Sequence, residues 1–222
     1  MKSIQPNPVI LIHGIDDTAL VFQTMSQQLS RRGWDVHSLS LTPSNGEIGL
    51  DRLAQQIADY VSLTFKENQP FDLVGFSMGG IISRYYVQRL GGIQRVQRFV
   101  TISSPHCGSW VGYARHNIGC QQMRPNSRFL NDLKRDIHIL DKIDFTSIWT
   151  PYDLMIVPAH SSCISVGREI ILPILLHSWM LTDPRCIAQV AQVLAEPLRQ
   201  NHAKTPQPRP VSPRYLYQEQ GI

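Results

Sequence analysis

The sequence predicts an α/β protein, a mostly parallel sheet of roughly six strands with helices on both faces. Three observations carry this. Short runs such as Pro8-Val9-Ile10-Leu11-Ile12 and Phe71-Asp72-Leu73-Val74-Gly75-Phe76 have the near-continuous hydrophobicity of strands buried on both faces. They alternate with segments whose apolar residues recur every three or four positions, as on one face of a helix. The Phe71 run also leads directly into Gly75-Phe76-Ser77-Met78-Gly79-Gly80, which reads as a strand, a sharp turn and a helix. Strands alternating with helices imply right-handed crossovers and parallel neighbours.

In chain order, the first strand ends at His13-Gly14-Ile15. Val21, Met25 and Leu29 give a helix over residues 18–32, closed by Gly33. Residues 34–41 read as a second strand, and Leu50, Leu53, Ile57 and Val61 line a second helix. After the serine turn, Ile81, Ile82, Tyr85 and Tyr86 supply a buried helical face until Gly91-Gly92, and residues 96–102 form a further strand. Residues 103–143 then contain no strand and one helical stretch, 126–140, with Phe129, Leu133, Ile137 and Leu140 on one face. Strands follow at 144–150 and 164–172. Asp183 as N-cap and Pro184 at the first helical position open a last helix with Ile187, Val190, Leu194 and Leu198 as its stripe. The expected organisation is one domain over 1–199, with an insertion at 105–143, and a flexible proline-rich tail at 200–222.

Composition narrows the function classes. The chain has 222 residues, 42% hydrophobic and 17% charged, with a formal net charge of +4. No basic stripe with interleaved aromatics supports nucleic-acid binding. No stretch approaches the roughly 18 apolar residues of a membrane span, and residues 1–8 do not read as an export signal, so a cytoplasmic protein is expected. Cys107, Cys120, Cys163 and Cys186 lack a metal-ligand rhythm and are expected as free thiols. No metal or cofactor is called for. Oligomeric state stays open.

The chemistry centres on Ser77. In a G-x-S-x-G turn between strand and helix, the serine sits in strained backbone with its hydroxyl clear of the sheet edge, and Gly75 and Gly79 allow strand and helix to approach closely. A serine hydroxyl needs a base, and the base needs an orienting acid. Asp153 and His177 follow Ser77 in the order such sites use, each just after a predicted strand, so all three are expected on one rim. His160 competes as base but lies only seven residues after Asp153. The backbone amides of Met78 and Ile15 are the expected oxyanion donors, with His13 bracing their loop.

These segments resemble the small bacterial triacylglycerol lipases and esterases of the α/β-hydrolase superfamily. The likeness rests on Val9-Ile10-Leu11-Ile12-His13-Gly14-Ile15, Leu73-Val74-Gly75-Phe76-Ser77-Met78-Gly79-Gly80, Thr101-Ile102-Ser103-Ser104-Pro105-His106-Cys107-Gly108-Ser109 and Met123-Arg124-Pro125-Asn126-Ser127-Arg128-Phe129-Leu130. It implies a minimal α/β-hydrolase fold without the antiparallel strands that open larger relatives. It also implies a serine carboxylic-ester hydrolase acting on a lipid-like or small ester through an acyl-enzyme. An acyltransferase on the same residues is the alternative, and a non-catalytic binding module a more distant one. One departure touches the acid: Leu154 separates Asp153 from Met155-Ile156-Val157. Phe129 and Leu133, in the insertion, are candidate acyl-chain contacts if that segment roofs the pocket; otherwise its helix simply packs on the body.

Overall fold

The structure, a computed structural model, describes residues 6–198. The expected tail at 200–222 lies outside the described residues. Six strands form one sheet: β1 (Val9–Ile12), β2 (Val36–Leu39), β3 (Phe71–Phe76), β4 (Val96–Ile102), β5 (Asp144–Trp149) and β6 (Arg168–Ile171). Their order is β2-β1-β3-β4-β5-β6, and all five pairings are parallel. With every strand running the same way, all carboxyl ends open on one edge.

The apolar runs are explained by burial on two faces. Ile10, Ile12, Leu73, Phe99 and Phe145 pack under α2 (Leu50–Thr64), α3 (Met78–Arg89) and α5 (Arg128–Arg135). Val9, Leu11, Val74, Phe76, Val100 and Ile148 pack against α1 (Gln23–Arg31) and α6 (Pro184–Ala195). The minimal α/β-hydrolase architecture expected from the sequence is the one observed.

Element boundaries differ where local contacts intervene. The helix expected over 18–32 begins with a 3-10 turn, Ala19–Phe22, capped by the Thr18 hydroxyl. The second strand shortens to β2, whose residues are only half-buried because it is an edge. The expected 126–140 helix breaks after α5, where Asp136 leaves helical geometry at φ −123°, ψ 35°. Arg89 and Gln88 of α3 hold its carboxylate at 2.6 and 2.9 Å, and a 3-10 turn, Ile137–Lys142, follows. Residues 103–143 also contain a 3-10 turn, Trp110–Tyr113, and α4 (Ile118–Gln122), both too short to show a periodicity. The last strand contracts to β6 because Gly167 turns the chain beneath Phe145 at φ +76°, where a side chain would strike that ring.

The insertion is fixed to the body by a buried cation. Arg84 of α3 is almost completely enclosed and donates to Gln88 Oε1 (2.8 Å), the Leu133 carbonyl (2.8 Å) and the His106 carbonyl (3.3 Å). Burial lowers its pKa to about 10, with Cys107 and Asp136 opposing the shift, so it stays charged at neutral pH.

Candidate active site

Ser77 stands at the carboxyl end of β3 with φ 53° and ψ −123°, a conformation that costs a non-glycine residue about 1–3 kcal/mol. Its amide donates to the Ile102 carbonyl of β4 at 2.9 Å, and its own carbonyl accepts from Gly80. Two close approaches allow the turn. A Cβ on Gly75 would lie 2.6 Å from Gly80 Cα, and one on Gly79 would strike the Ile12 and His13 carbonyl oxygens. Gly79 thus permits contact with β1, not with its own strand.

Asp153 and His177 meet. Asp153 follows β5 and is 5% exposed; its Oδ2 accepts from His177 Nδ1 at 2.7 Å. Its Oδ1 accepts from the Met155 and Ile156 amides, both at 2.9 Å. Burial alone would raise the carboxyl; the His177 hydrogen bond and charge with the two amides outweigh it and hold the carboxyl below the usual carboxylate range. Leu154 does not disturb this geometry. Its own side chain projects outward, 78% exposed, while the next two amides turn back onto the acid.

His177 opens a short 3-10 turn, His177–Leu181, beyond β6. Its ring lies on Phe76, the residue before Ser77, with centroids 4.7 Å apart. Its hydrogen bond goes to Asp153, and none joins it to Ser77 Oγ. Catalytic hydrogen bonds are often long without substrate and tighten on binding. Asp144, by contrast, opens β5 at the opposite edge, in register with Arg98. His160 is exposed on the wall of a separate cavity of about 590 Å³, shared with Arg84, Cys107, Leu130, Lys134 and Cys163.

The loop after β1 reaches the serine. A Cβ on Gly14 would sit 3.2 Å from Ser77 Cβ, and 3.3 Å from Phe76 Cδ1. His13 is fully buried: Nε2 accepts from the Leu41 amide at 2.9 Å, so Nδ1 carries the proton donated to the Gly14 carbonyl at 2.8 Å. Both ring nitrogens are occupied, which fixes the tautomer and ties the loop to the chain beyond β2. The Ile15 and Met78 amides take no part in the turn, loop and cap hydrogen bonds of the described residues.

Phe129 stacks on Tyr85 with centroids 5.2 Å apart. Leu133 is wholly buried among the residues under α2 and α3. Neither lines the 590 Å³ cavity, where α5 presents Leu130 and Lys134.

Three residues escaped the sequence reading. Ser109 donates to the Met155 carbonyl (2.9 Å) and accepts from the Val157 amide (3.0 Å), holding the turn that carries Asp153. Thr150 donates to the Ile174 carbonyl, joining the end of β5 to the segment before His177. Asp17 sits beside Gly14; burial raises its carboxyl above the usual range. Ser109 lay within a quoted motif, but its bonds to residues 46 and 48 positions away leave no local pattern. No group of three or more metal-ligating side chains occurs among the described residues.

Comparison with known proteins fits this geometry. Residues 8–138, more than half of the chain, match the family model described as palmitoyl protein thioesterase. The match spans Ser77, Met78 and Ile15 and stops before Asp153. Palmitoyl-protein thioesterase 3 of Dictyostelium discoideum is 24% identical over 149 residues, covering 61% of this chain. The chain spans about half, 51%, of that relative's length. Among solved structures, the mature lipase of Bacillus licheniformis superposes with TM-score 0.68 at 14% identity, covering 87% of this chain and 94% of that one. Aspergillus fumigatus lipase B gives 0.75 at 17% identity, with 87% and 53% covered. These structures share the fold, and the expected superfamily holds. The chain has the α/β-hydrolase fold and belongs to the palmitoyl protein thioesterase family.

Proposed function

We propose that the protein is a serine acyl hydrolase working through Ser77, His177 and Asp153 and an acyl-enzyme, and that the bond it cleaves is a fatty-acyl thioester. The observation that carries the proposal is the strained Ser77 on the same rim as a 2.7 Å Asp153–His177 pair. Family membership favours the thioester.

Asp153 Oδ2 keeps the imidazole proton on Nδ1, leaving Nε2 as the acceptor for the serine proton. Ser77 Oγ then attacks the acyl carbonyl as His177 takes that proton. The oxyanion forms against the Ile15 and Met78 amides. His177 protonates the departing sulfur, and water, deprotonated by the same imidazole, releases the fatty acid and restores the serine. A second reading, cleavage of oxygen esters, is favoured by the lipases among the structural neighbours. Both bonds suit the same machinery.

The test is turnover of an S-palmitoyl peptide beside a chain-length series of p-nitrophenyl esters. Hydrolysis of both is expected, with the larger kcat/KM on the thioester; loss of that preference would restore the oxygen-ester reading. No turnover of either, or a Ser77→Ala variant keeping a tenth of wild-type activity, would overturn the mechanism. Phe129→Ala tests the acyl-contact role: it is expected to change chain-length preference, whereas uniform loss across lengths would assign Phe129 to packing.

A further inference from the structure

The large exposed apolar side chains are unevenly distributed. Eleven of them, Trp110, Tyr113, Leu154, Met155, Leu175 and Trp179 among these, share one edge of the sheet. Every one stands on a connection leaving the carboxyl end of a strand: Leu20 after β1, Trp110 to Ile118 after β4, Tyr152 to Val157 after β5, and the rest after β6. Leu63 on α2 and Ile171 on the edge strand are the remaining two among the described residues.

Contacts connect these loops into one surface. The Trp110 amide donates to the Val157 carbonyl at 2.8 Å, and Trp110 stacks on Tyr113 at 5.4 Å. Ser109 holds the Met155 carbonyl, and Asp153 in that same turn holds His177, between Leu176 and Trp179. The surface therefore surrounds the candidate active site.

Its charge is equally uneven. Residues 150–163 and 172–181 contain no Lys, Arg or Glu, and their single acid, Asp153, is buried. The Arg124 guanidinium lies 4.5 Å over the Tyr113 ring, donates to the Gly112 and Arg115 carbonyls at 3.0 and 2.9 Å, and meets no carboxylate among the described residues. Arg115 beside it is paired with Asp16. A concentration of exposed apolar side chains on one face marks an interaction surface. Exposed tryptophan and tyrosine among aliphatic side chains, with a cation that no carboxylate neutralises beside Tyr113, suit the lipid–water interface. There the indole and phenol rings lie at headgroup depth, aliphatic side chains reach the acyl region, and the guanidinium meets lipid phosphate.

We propose that the carboxyl rim is a docking surface for a phospholipid bilayer, lying flat on the membrane with Ser77 facing it. Docking rests on the surface alone; its use in presenting an embedded acyl chain to Ser77 rests on the function proposed above. Each large apolar side chain moved out of water is worth about tenfold in partition.

The test is flotation of the full chain with phosphatidylcholine vesicles containing phosphatidylglycerol, followed by tryptophan quenching with brominated lipids. Wild type is expected to float and to be quenched. The triple variant Trp110→Ser, Leu154→Ser, Leu175→Ser is expected to lose at least about a hundredfold in partition while still turning over soluble p-nitrophenyl acetate. Leu63→Ser is expected to float as wild type does, and so is Ser77→Ala, which separates docking from catalysis. The proposal is overturned if wild type stays with the soluble fraction, or if the triple variant floats equally well. A concentration-dependent dimer abolished by the triple variant, without flotation, would also overturn it and assign the face to self-association.

Discussion

The two edges of the sheet follow opposite rules. At the amino edge, buried and half-buried charges are paired with one another. Asp72, fully buried at the start of β3, accepts from Asn7 and from the Arg98 amide and is paired with the Arg98 guanidinium at 3.0 Å. Arg98 also reaches the Glu196 carbonyl, and Arg168 pairs with the Glu196 side chain at 2.9 Å. At the carboxyl edge, Asp16, Ser77 and Ser103 all have positive φ. Apolar side chains there stand in solvent. One edge stabilises the fold. The other holds groups in conformations that the rest of the molecule must offset, as expected where a parallel sheet presents its site.

The sharpest way to break this comparison is at Ser77. Ser77→Ala is expected to lower ester or thioester turnover by about 10⁴-fold or more with an unchanged thermal midpoint. Next is the acid. Asp153→Asn should cost up to about 10⁴-fold in kcat by favouring the wrong imidazole tautomer, whereas Asp144→Asn, at the amino edge, should cost far less. Reversed results would show that the acid had been misplaced.

Arg98→Ala probes the amino edge. Burial already raises the Asp72 carboxyl, with Arg98 opposing the shift; removing the cation strands a buried carboxylate. Urea unfolding should show a loss of about 3 kcal/mol or more with kcat unchanged. A fall in kcat at full stability would erase the division between the edges.

His106 supplies a pH signature. Burial, and secondarily the Arg84 charge, hold its pKa well below 6.5, so the folded state keeps it neutral while the unfolded chain protonates normally. Stability is full above about pH 6.5 and declines as pH falls below it, by up to about 1.4 kcal/mol per pH unit, until the buried ring itself takes a proton. His106→Asn, able to keep a hydrogen bond to Thr101, should flatten that decline in thermal midpoint. The smallest effect is expected from Ser109→Ala. Loosening the Asp153 turn by two hydrogen bonds should reduce kcat by about tenfold, with Ser109→Thr restoring part of it.

Much was legible in the sequence because its causes are local or periodic. Burial on two faces makes β1 and β3 continuously apolar, and packing on one face gives α2 and α6 their stripes. The strained turn at Ser77 requires glycine where strand, helix and β1 crowd together, so it left a motif. Chain order after the strands singled out Asp153 and His177, which the structure brings within 2.7 Å. Other features only the tertiary structure decided. α5 ends at Asp136 because Arg89 and Gln88, 47 and 48 residues earlier, bind its carboxylate. Ser109 acquires its place from the Met155 and Val157 backbone, and Asp17 from a loop that folds Gly14 against Ser77. The apolar rim was equally invisible: Leu154, Leu175 and Trp179 look like core residues in sequence. Whether a hydrophobic side chain is buried or faces solvent depends on which loops surround it, and that is settled only when the sheet assembles.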